Sequence, residues 1–126
     1  MNLLLDTHIL LWWLGDDPDL PEGMARVIAD PASTVVVSAA SAWEIAIKKA
    51  SGRLEAPDDL REVLEENAFG ALSITVAHAR EAGALPAHHA DPFDRMLIAQ
   101  ARLEDLTIAT VDRRFPSYDV RLLDLS

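Results

Sequence analysis

The stretch LLLDTHILLWWL, residues 3–14, decides the architecture of this chain. Residues 3–5 are a run of leucines that predicts a short buried strand, and the residues from Thr7 to Leu14 are apolar over the length of a helix. Asp6 separates the two elements. A strand followed at once by a helix is the unit from which parallel sheets are built. The stretch therefore predicts the first strand and the first covering helix of an α/β fold.

The rest of the chain continues this alternation of strands and helices. β-branched residues at 34–37 predict a continuous buried strand, and residues 92–103 form the clearest helix because their apolar side chains share one broad face. The other predicted strands are residues 72–74, 107–109 and 122–123, and the other predicted helices are residues 21–30, 41–50, 58–68 and 76–84. We expect a short central parallel sheet with helices on both faces, right-handed connections, and a site beyond the carboxyl ends of the strands.

Composition limits the class of protein. The 126 residues suit a single domain over 1–126, and half of them are hydrophobic, which is enough to fill one core. There is no cysteine, so disulfides and thiolate chemistry are excluded. The sequence has no basic leader and no apolar run of about 20 residues, so we expect a soluble protein of the cytoplasm, with no membrane partner.

The net charge of −10 is unusual for a protein that binds nucleic acid. Half of that charge comes from residues 55–66, which contain six acids and one base and predict a solvated helix face. A chain this acidic should hold nucleic acid weakly and need metal ions to do so. It should also attract basic partners.

Four acidic residues follow successive strands of the predicted sheet. Asp6 and Asp112 come just after two strands, Glu44 lies one turn into the helix after a third, and Asp94 lies in the first turn of helix 92–103. Carboxylates that converge repel one another unless a cation is bound between them. Oxygen ligands of this kind suit Mg²⁺ or Mn²⁺, which can activate a phosphodiester and a water molecule. The pattern predicts a hydrolytic nuclease.

Each acid also has a purely structural interpretation. Asp6 could cap the following helix, Ser41-x-x-Glu44 fits a capping box, and Asp112 could end a strand at a turn. Asp91 before Pro92 is an ideal N-cap, which would leave Asp94 at a position that the helix dipole favours. We assign Asp91 mainly to this cap, but four acids at successive strand exits are harder to explain as caps alone.

The histidines do not form a zinc pattern. His88 and His89 are adjacent, and together with His78 they lack the spacing of a zinc site. We expect His88 and His89 to lie in a polar loop before the Asp91 cap. Arg95, Arg113 and Arg114 are by default solvated surface residues; of the three, Arg95 is the best candidate for contacting an RNA phosphate because it follows Asp94 directly.

Taken together, the motifs of the chain resemble the PIN-domain family, and closely the VapC toxins of bacterial toxin–antitoxin modules. The matching segments occur in family order and span nearly the whole chain. They are LLLDTH at 3–8, SAWEI at 41–45 followed by Lys48 and GRL at 52–54, HADPFDRMLIAQA at 89–101, and TVD at 110–112 with Phe115.

The resemblance implies a PIN-like fold and a ribonuclease toxin that uses Mg²⁺ or Mn²⁺. It also implies a homodimer and a cognate antitoxin that blocks the site. By position, Asp6, Glu44 and Asp94 would form the acidic core and Asp112 would be the fourth acid. Thr7 and Thr110 become candidates for hydroxyl contacts to these acids or to water on the metal.

Three alternatives for function and surface stay open. The same carboxylate architecture could belong to a structure-specific DNA nuclease, although 126 residues leave little room for DNA-binding additions. The chain could also be a metal-free interaction module whose acids only cap helices. Finally, Trp12 and Trp13 are either deeply buried or form the wall of an apolar groove for an antitoxin segment or a second subunit.

Overall fold

A computed structural model describes residues 1–125 of the chain. Four strands form one parallel sheet with the order β3-β2-β1-β4. The strands are β1 (Asn2–Leu5), β2 (Thr34–Ser38), β3 (Gly70–Leu72) and β4 (Thr107–Ala109). The helices are α1 (Thr7–Leu14), α2 (Glu22–Ala29), α3 (Ala39–Ala50), α4 (Leu60–Glu66), α5 (Val76–Ala84) and α6 (Pro92–Glu104), followed by a short 3₁₀ turn at Phe115–Ser117.

The central strand explains why the opening leucines are continuous. β1 lies between β2 and β4, with Leu4 paired to Val36 on one side and Ile108 on the other. Leu3 and Leu5 face a core that includes residues of α1 to α4, whereas Leu4 faces a second core that includes residues of α6. Both faces of the sheet are therefore covered by helices, and the predicted α/β architecture is confirmed.

Helix α3 and strand β3 have boundaries that differ from the sequence-based prediction. Helix α3 begins at Ala39 rather than at residue 41, because the Ser38 hydroxyl accepts a hydrogen bond from the Ala40 N–H and caps the helix. Strand β3 covers 70–72 instead of 72–74. Gly70 allows it to approach β2 closely, since a Cβ there would lie 3.2 Å from a methyl of Val36.

The predicted last strand is reduced to one bridge. Leu122 pairs in parallel with Ile108, and the Leu123 N–H donates to the Ile108 carbonyl at 2.9 Å. Two predicted helices are also shorter than expected. Pro21 and Asp59 are the N-caps of α2 and α4 rather than helical residues.

A buried polar network joins the sheet to α5 and α6. The Ser38 hydroxyl donates to Gln100 Oε1 at 2.6 Å, and Gln100 Nε2 donates to the Ser73 carbonyl at 3.2 Å. His78 lies beside Gln100, with its Nδ1 3.3 Å from Gln100 Nε2 and its Nε2 3.1 Å from Glu104 Oε1. The network fixes α6 against β2, and α6 carries Asp94 at its other end.

Trp12 and Trp13 are both half-buried, so deep burial is ruled out and the groove-wall interpretation stays a prediction. The Trp13 indole donates to Asn67 Oδ1 at 3.0 Å and its ring packs near Phe69. No helix within residues 1–125 has the length and apolar character needed to cross a lipid bilayer.

Candidate active site

The carboxyl ends of β1 and β4 bring two of the predicted acids together. Asp6 follows β1 and is only 3% exposed. The Thr110 hydroxyl, just beyond β4, donates to Asp6 Oδ2 at 2.7 Å and accepts from the Asp112 N–H at 3.1 Å. One threonine thus links the two acids across neighbouring strands. Parallel pairing places both strand ends at the same edge of the sheet.

Asp94 comes to this edge from the first turn of α6. The Asp91 carboxylate caps the helix by accepting from the N–H groups of Phe93 and Asp94, at 2.8 and 3.2 Å. The predicted capping role of Asp91 is therefore present, and the cap orients the turn that carries Asp94. The Asp94 side chain is buried, and its Oδ2 lies 2.6 Å from His89 Nε2.

Burial and like charge make Asp6 and Asp94 costly to ionise. Loss of solvent raises the pKa of Asp94 to about 6, and the negative charge of Asp6 adds to this rise. Burial also raises the pKa of Asp6, although the Thr110 hydrogen bond opposes that effect. A divalent cation placed between such carboxylates would relieve the repulsion. Their hard oxygen donors fit Mg²⁺ or Mn²⁺.

Asp112 is held differently from the other acids. Both of its oxygens accept hydrogen bonds from Arg114: Oδ1 from the backbone N–H and Nε at 2.9 and 3.0 Å, and Oδ2 from Nη2 at 2.7 Å. These bonds lower the pKa of Asp112 to about 2. Asp112 is therefore ionised at neutral pH, and the guanidinium of Arg114 balances its charge.

Glu44 lies on α3, and Thr7 lies at the start of α1. The Thr7 hydroxyl donates to the Ser41 hydroxyl at 2.9 Å, which joins the first turns of these two helices beside Asp6. Glu44 lies one turn beyond Ser41 on the same face of α3 and is only 4% exposed. Its Oε2 accepts from Lys48 Nζ at 2.9 Å. The capping-box interpretation of Glu44 is wrong, because Ser41 lies inside the helix and Ser38 is the cap.

His89 is the residue that the sequence analysis missed. Within residues 1–125, His89, Asp94 and Asp112 form a group whose nearest ligand atoms all lie within 4.8 Å of one another. Both histidines lie in the loop before the Asp91 cap, as expected, but the His89 ring is buried within that loop whereas its neighbour His88 is exposed. Two signals were available: His89 precedes the Asp91 cap by two residues, and the segment at 89–101 that resembles the family begins at His89 and leaves out His88.

Arg95 is committed to backbone oxygens rather than to the open surface. Its two terminal nitrogens donate to four carbonyls of the segment before α6, at 2.8 to 3.3 Å. These are the carbonyls of Ala82, Leu85, Pro86 and His89. An RNA phosphate would have to displace these bonds to reach the guanidinium. Arg95 therefore holds in place the segment that carries His89.

The sequence matches the PIN domain family over residues 3–121. The chain therefore belongs to the PIN domain family, and the resemblance drawn from its motifs is confirmed. Its curated relatives include Ribonuclease VapC22 of Mycobacterium tuberculosis (strain ATCC 25618 / H37Rv). That protein is 29% identical over 120 residues, which cover 93% of this chain and 92% of the relative.

Solved toxin–antitoxin structures share the fold along nearly the whole chain. VapBC2 from Rickettsia felis, bound to a DNA fragment from its promoter, matches with a TM-score of 0.70 and 15% identity over 98% of both chains. A toxin–antitoxin complex from Klebsiella pneumoniae matches with a TM-score of 0.64 and 19% identity, over 97% of this chain and 96% of that one. At these identities the likeness establishes the fold.

Proposed function

We propose that residues 1–126 form one nuclease domain, a metal-dependent endoribonuclease that acts as the toxin of a toxin–antitoxin module. The observation that carries this proposal is the meeting of Asp6, Asp94 and Asp112 at one edge of the sheet, where two of them have raised pKa values. Membership of the PIN family and the relative named Ribonuclease VapC22 support hydrolysis of RNA.

We assign the catalytic and metal-binding roles to Asp6, Glu44, Asp94 and Asp112, with Mg²⁺ or Mn²⁺ as the cofactor. When bound, the cation supplies Lewis-acid activation of the phosphodiester and of the attacking water. Asp6 and Asp94 present buried carboxylates whose repulsion favours binding of a cation. Glu44 is already paired with Lys48 Nζ at 2.9 Å, so we expect its removal to weaken the site less than removal of Asp94.

The supporting residues hold these acids in place. Thr110 binds Asp6 and the backbone of Asp112, and Thr7 joins α1 to α3 beside Glu44. Asp91 caps the helix that carries Asp94. A site needs such fixed carboxylates because misplacement by about 1 Å can cost about 100-fold in rate.

Cleavage of matched RNA and DNA tests this proposal. An unstructured RNA and the DNA of the same sequence are incubated with the protein in Mn²⁺, in Mg²⁺ and in EDTA. We expect RNA to be cut only with metal. Preferential cutting of DNA would favour the structure-specific DNA nuclease, and absence of both metal binding and cleavage would favour the interaction module.

A matched pair of variants separates the site from the rest of the surface. Asp94→Asn removes a buried site carboxylate, whereas Asp105→Asn makes the same chemical change at an exposed acid that is paired with Arg121. Asp105 has a φ of 55°, a conformation that asparagine tolerates. We expect cleavage to be lost in the first variant and kept in the second.

We also infer a basic antitoxin as the partner, together with a homodimer in the bacterial cytoplasm. The net charge of −10 favours a basic partner, and the structural relative from Klebsiella pneumoniae is a toxin–antitoxin complex. Expression of the chain alone should slow bacterial growth, and a co-expressed antitoxin should restore it. Harmless expression of soluble protein would contradict the toxin role.

A further inference from the structure

We propose that His89 is a positioning residue for the nuclease site: its Nε2–H holds Asp94 through a hydrogen bond, and the ring does not itself bind the metal. This inference rests on the proposed function and deepens it, because it decides which atoms form the metal site. Because the group of His89, Asp94 and Asp112 includes a ring nitrogen, it would otherwise suggest a metal site with both nitrogen and oxygen ligands.

The contacts of the ring decide where its proton lies. The Asp91 N–H donates to His89 Nδ1 at 3.4 Å, so a proton on Nδ1 would point at another proton. Nδ1 therefore acts as the acceptor, and the donating ring proton lies on Nε2. From there it donates to Asp94 Oδ2 at 2.6 Å. A protonated Nε2 has no lone pair for a metal ion.

The backbone around His89 is fixed on both sides. The His89 N–H donates to the Tyr118 hydroxyl at 2.8 Å, and that hydroxyl donates to the Pro86 carbonyl, also at 2.8 Å. Arg95 donates to the His89 carbonyl at 3.3 Å, and the ring lies edge-on to Phe115. The histidine therefore has little freedom to turn Nε2 away from Asp94.

The consequence is a metal site made of oxygen ligands. The histidine occupies Oδ2 of Asp94 and leaves Oδ1 available to a divalent cation. Ligating carboxylates are themselves held by hydrogen-bonded partners, and removal of such a partner typically weakens metal binding by about 10- to 100-fold. Oxygen ligands alone suit Mg²⁺ and Mn²⁺ better than zinc.

NMR of the metal-free protein tests the tautomer directly. Two-bond ¹H–¹⁵N correlations of ¹⁵N-labelled histidine distinguish a proton on Nε2 from one on Nδ1, and His89→Gln identifies the signal. We expect the Nε2–H tautomer for His89. An Nδ1–H form would overturn the proposal, and this measurement needs neither bound metal nor nuclease activity.

Pulsed EPR of bound Mn²⁺ tests whether the ring is a ligand. We expect no ¹⁴N coupling of the strength that a directly bonded imidazole gives. Such a coupling in the wild type, lost in His89→Gln, would overturn the proposal. A wild type that binds Mn²⁺ without cutting RNA would instead contradict the proposed function, while the EPR result would still decide the role of His89.

Affinity measurements with three variants separate positioning from packing. Glutamine carries an N–H donor near the place of Nε2, so His89→Gln should keep the Mn²⁺ dissociation constant within about threefold. His89→Ala should raise it about 10- to 100-fold. His88→Gln, at the exposed neighbour whose ring lies edge-on to Tyr118, is the matched control and should leave the dissociation constant at the wild-type value. Equal affinity in wild type and a folded His89→Ala variant would contradict the positioning role.

Discussion

Two buried histidines make nearly the same contacts in two regions of this protein, and only one of them lies in the site. His78 accepts from the Thr75 N–H at Nδ1 and has Nε2 3.1 Å from Glu104. His89 accepts from the Asp91 N–H at Nδ1 and has Nε2 2.6 Å from Asp94. Each ring is thus fixed between a backbone N–H and a carboxylate.

The difference lies in what surrounds the carboxylate. The Glu104 side chain is 44% exposed, so water stabilises its charge. Asp94 is buried beside Asp6, and its pKa rises to about 6. The hydrogen bond from His78 therefore completes the buried network between α5 and α6. The hydrogen bond from His89 holds a buried carboxylate that is costly to ionise. The accumulation of buried acids, rather than the histidine contact, marks the site.

The largest expected effect distinguishes the buried carboxylate of Asp94 from the exposed carboxylate of Glu104. Asp94→Asn should reduce RNA cleavage by about 100-fold or more, because stabilisation by a metal ion is worth several kcal/mol in the transition state. Without metal at pH 7.5, the same variant should be about 2 kcal/mol more stable in urea denaturation, because the buried charge is removed. A variant that loses activity and stability together would indicate misfolding instead.

The next effect concerns the histidine outside the site. His78→Leu should lower the free energy of unfolding by about 2 to 3 kcal/mol, because it removes a partner from the Thr75 N–H and from Gln100 in a buried network. Urea denaturation measures this loss. Mn²⁺ affinity of the folded variant should match the wild type, and a tenfold change would break the distinction between the two regions.

The pH dependence of stability should also show the cost of the site acids. The pKa of Asp94 is about 6 in the folded chain and 3.8 ordinarily, so the folded state binds more protons between these values. Metal-free stability should therefore fall as the pH rises from about 4 to about 6, by about 2 kcal/mol. Asp94→Asn should flatten that slope, and Glu104→Gln should not.

The smallest expected effect is at the exposed carboxylate. Glu104→Gln keeps an oxygen that can accept from His78, so stability should change by less than about 0.5 kcal/mol. Thermal unfolding and Mn²⁺ titration should both resemble the wild type. A loss as large as that of His78→Leu would show that the charge of Glu104, rather than its hydrogen bond, stabilises α5 against α6.

The sequence was sufficient for the order of strands and helices and for acids at the strand exits. These features depend on local patterns, such as the leucines before Asp6 and the proline after Asp91. It was insufficient where two neighbours offer the same chemistry. Ser38 and Ser41 can both cap a helix, and His88 and His89 are adjacent histidines. Tertiary contacts decide which serine caps α3 and which histidine is buried.

The contact that buries His89 comes from a distant part of the chain. Tyr118, 29 residues later, accepts from the His89 backbone, and Phe115 covers the ring. Adjacency to Asp94 made Arg95 the best of three arginines for a phosphate contact, with surface solvation as the default, whereas the structure directs it to four carbonyls. Sequence adjacency to a catalytic acid does not fix the direction of a long side chain.

Calorimetric titration with Mn²⁺ tests most directly the central claim that the acids at the sheet edge form one metal site. The wild type and Glu104→Gln should each bind Mn²⁺ saturably with the same affinity, and Asp94→Asn should lose this binding. Unchanged binding in a folded Asp94→Asn variant would contradict the account, because the ion would then be held elsewhere.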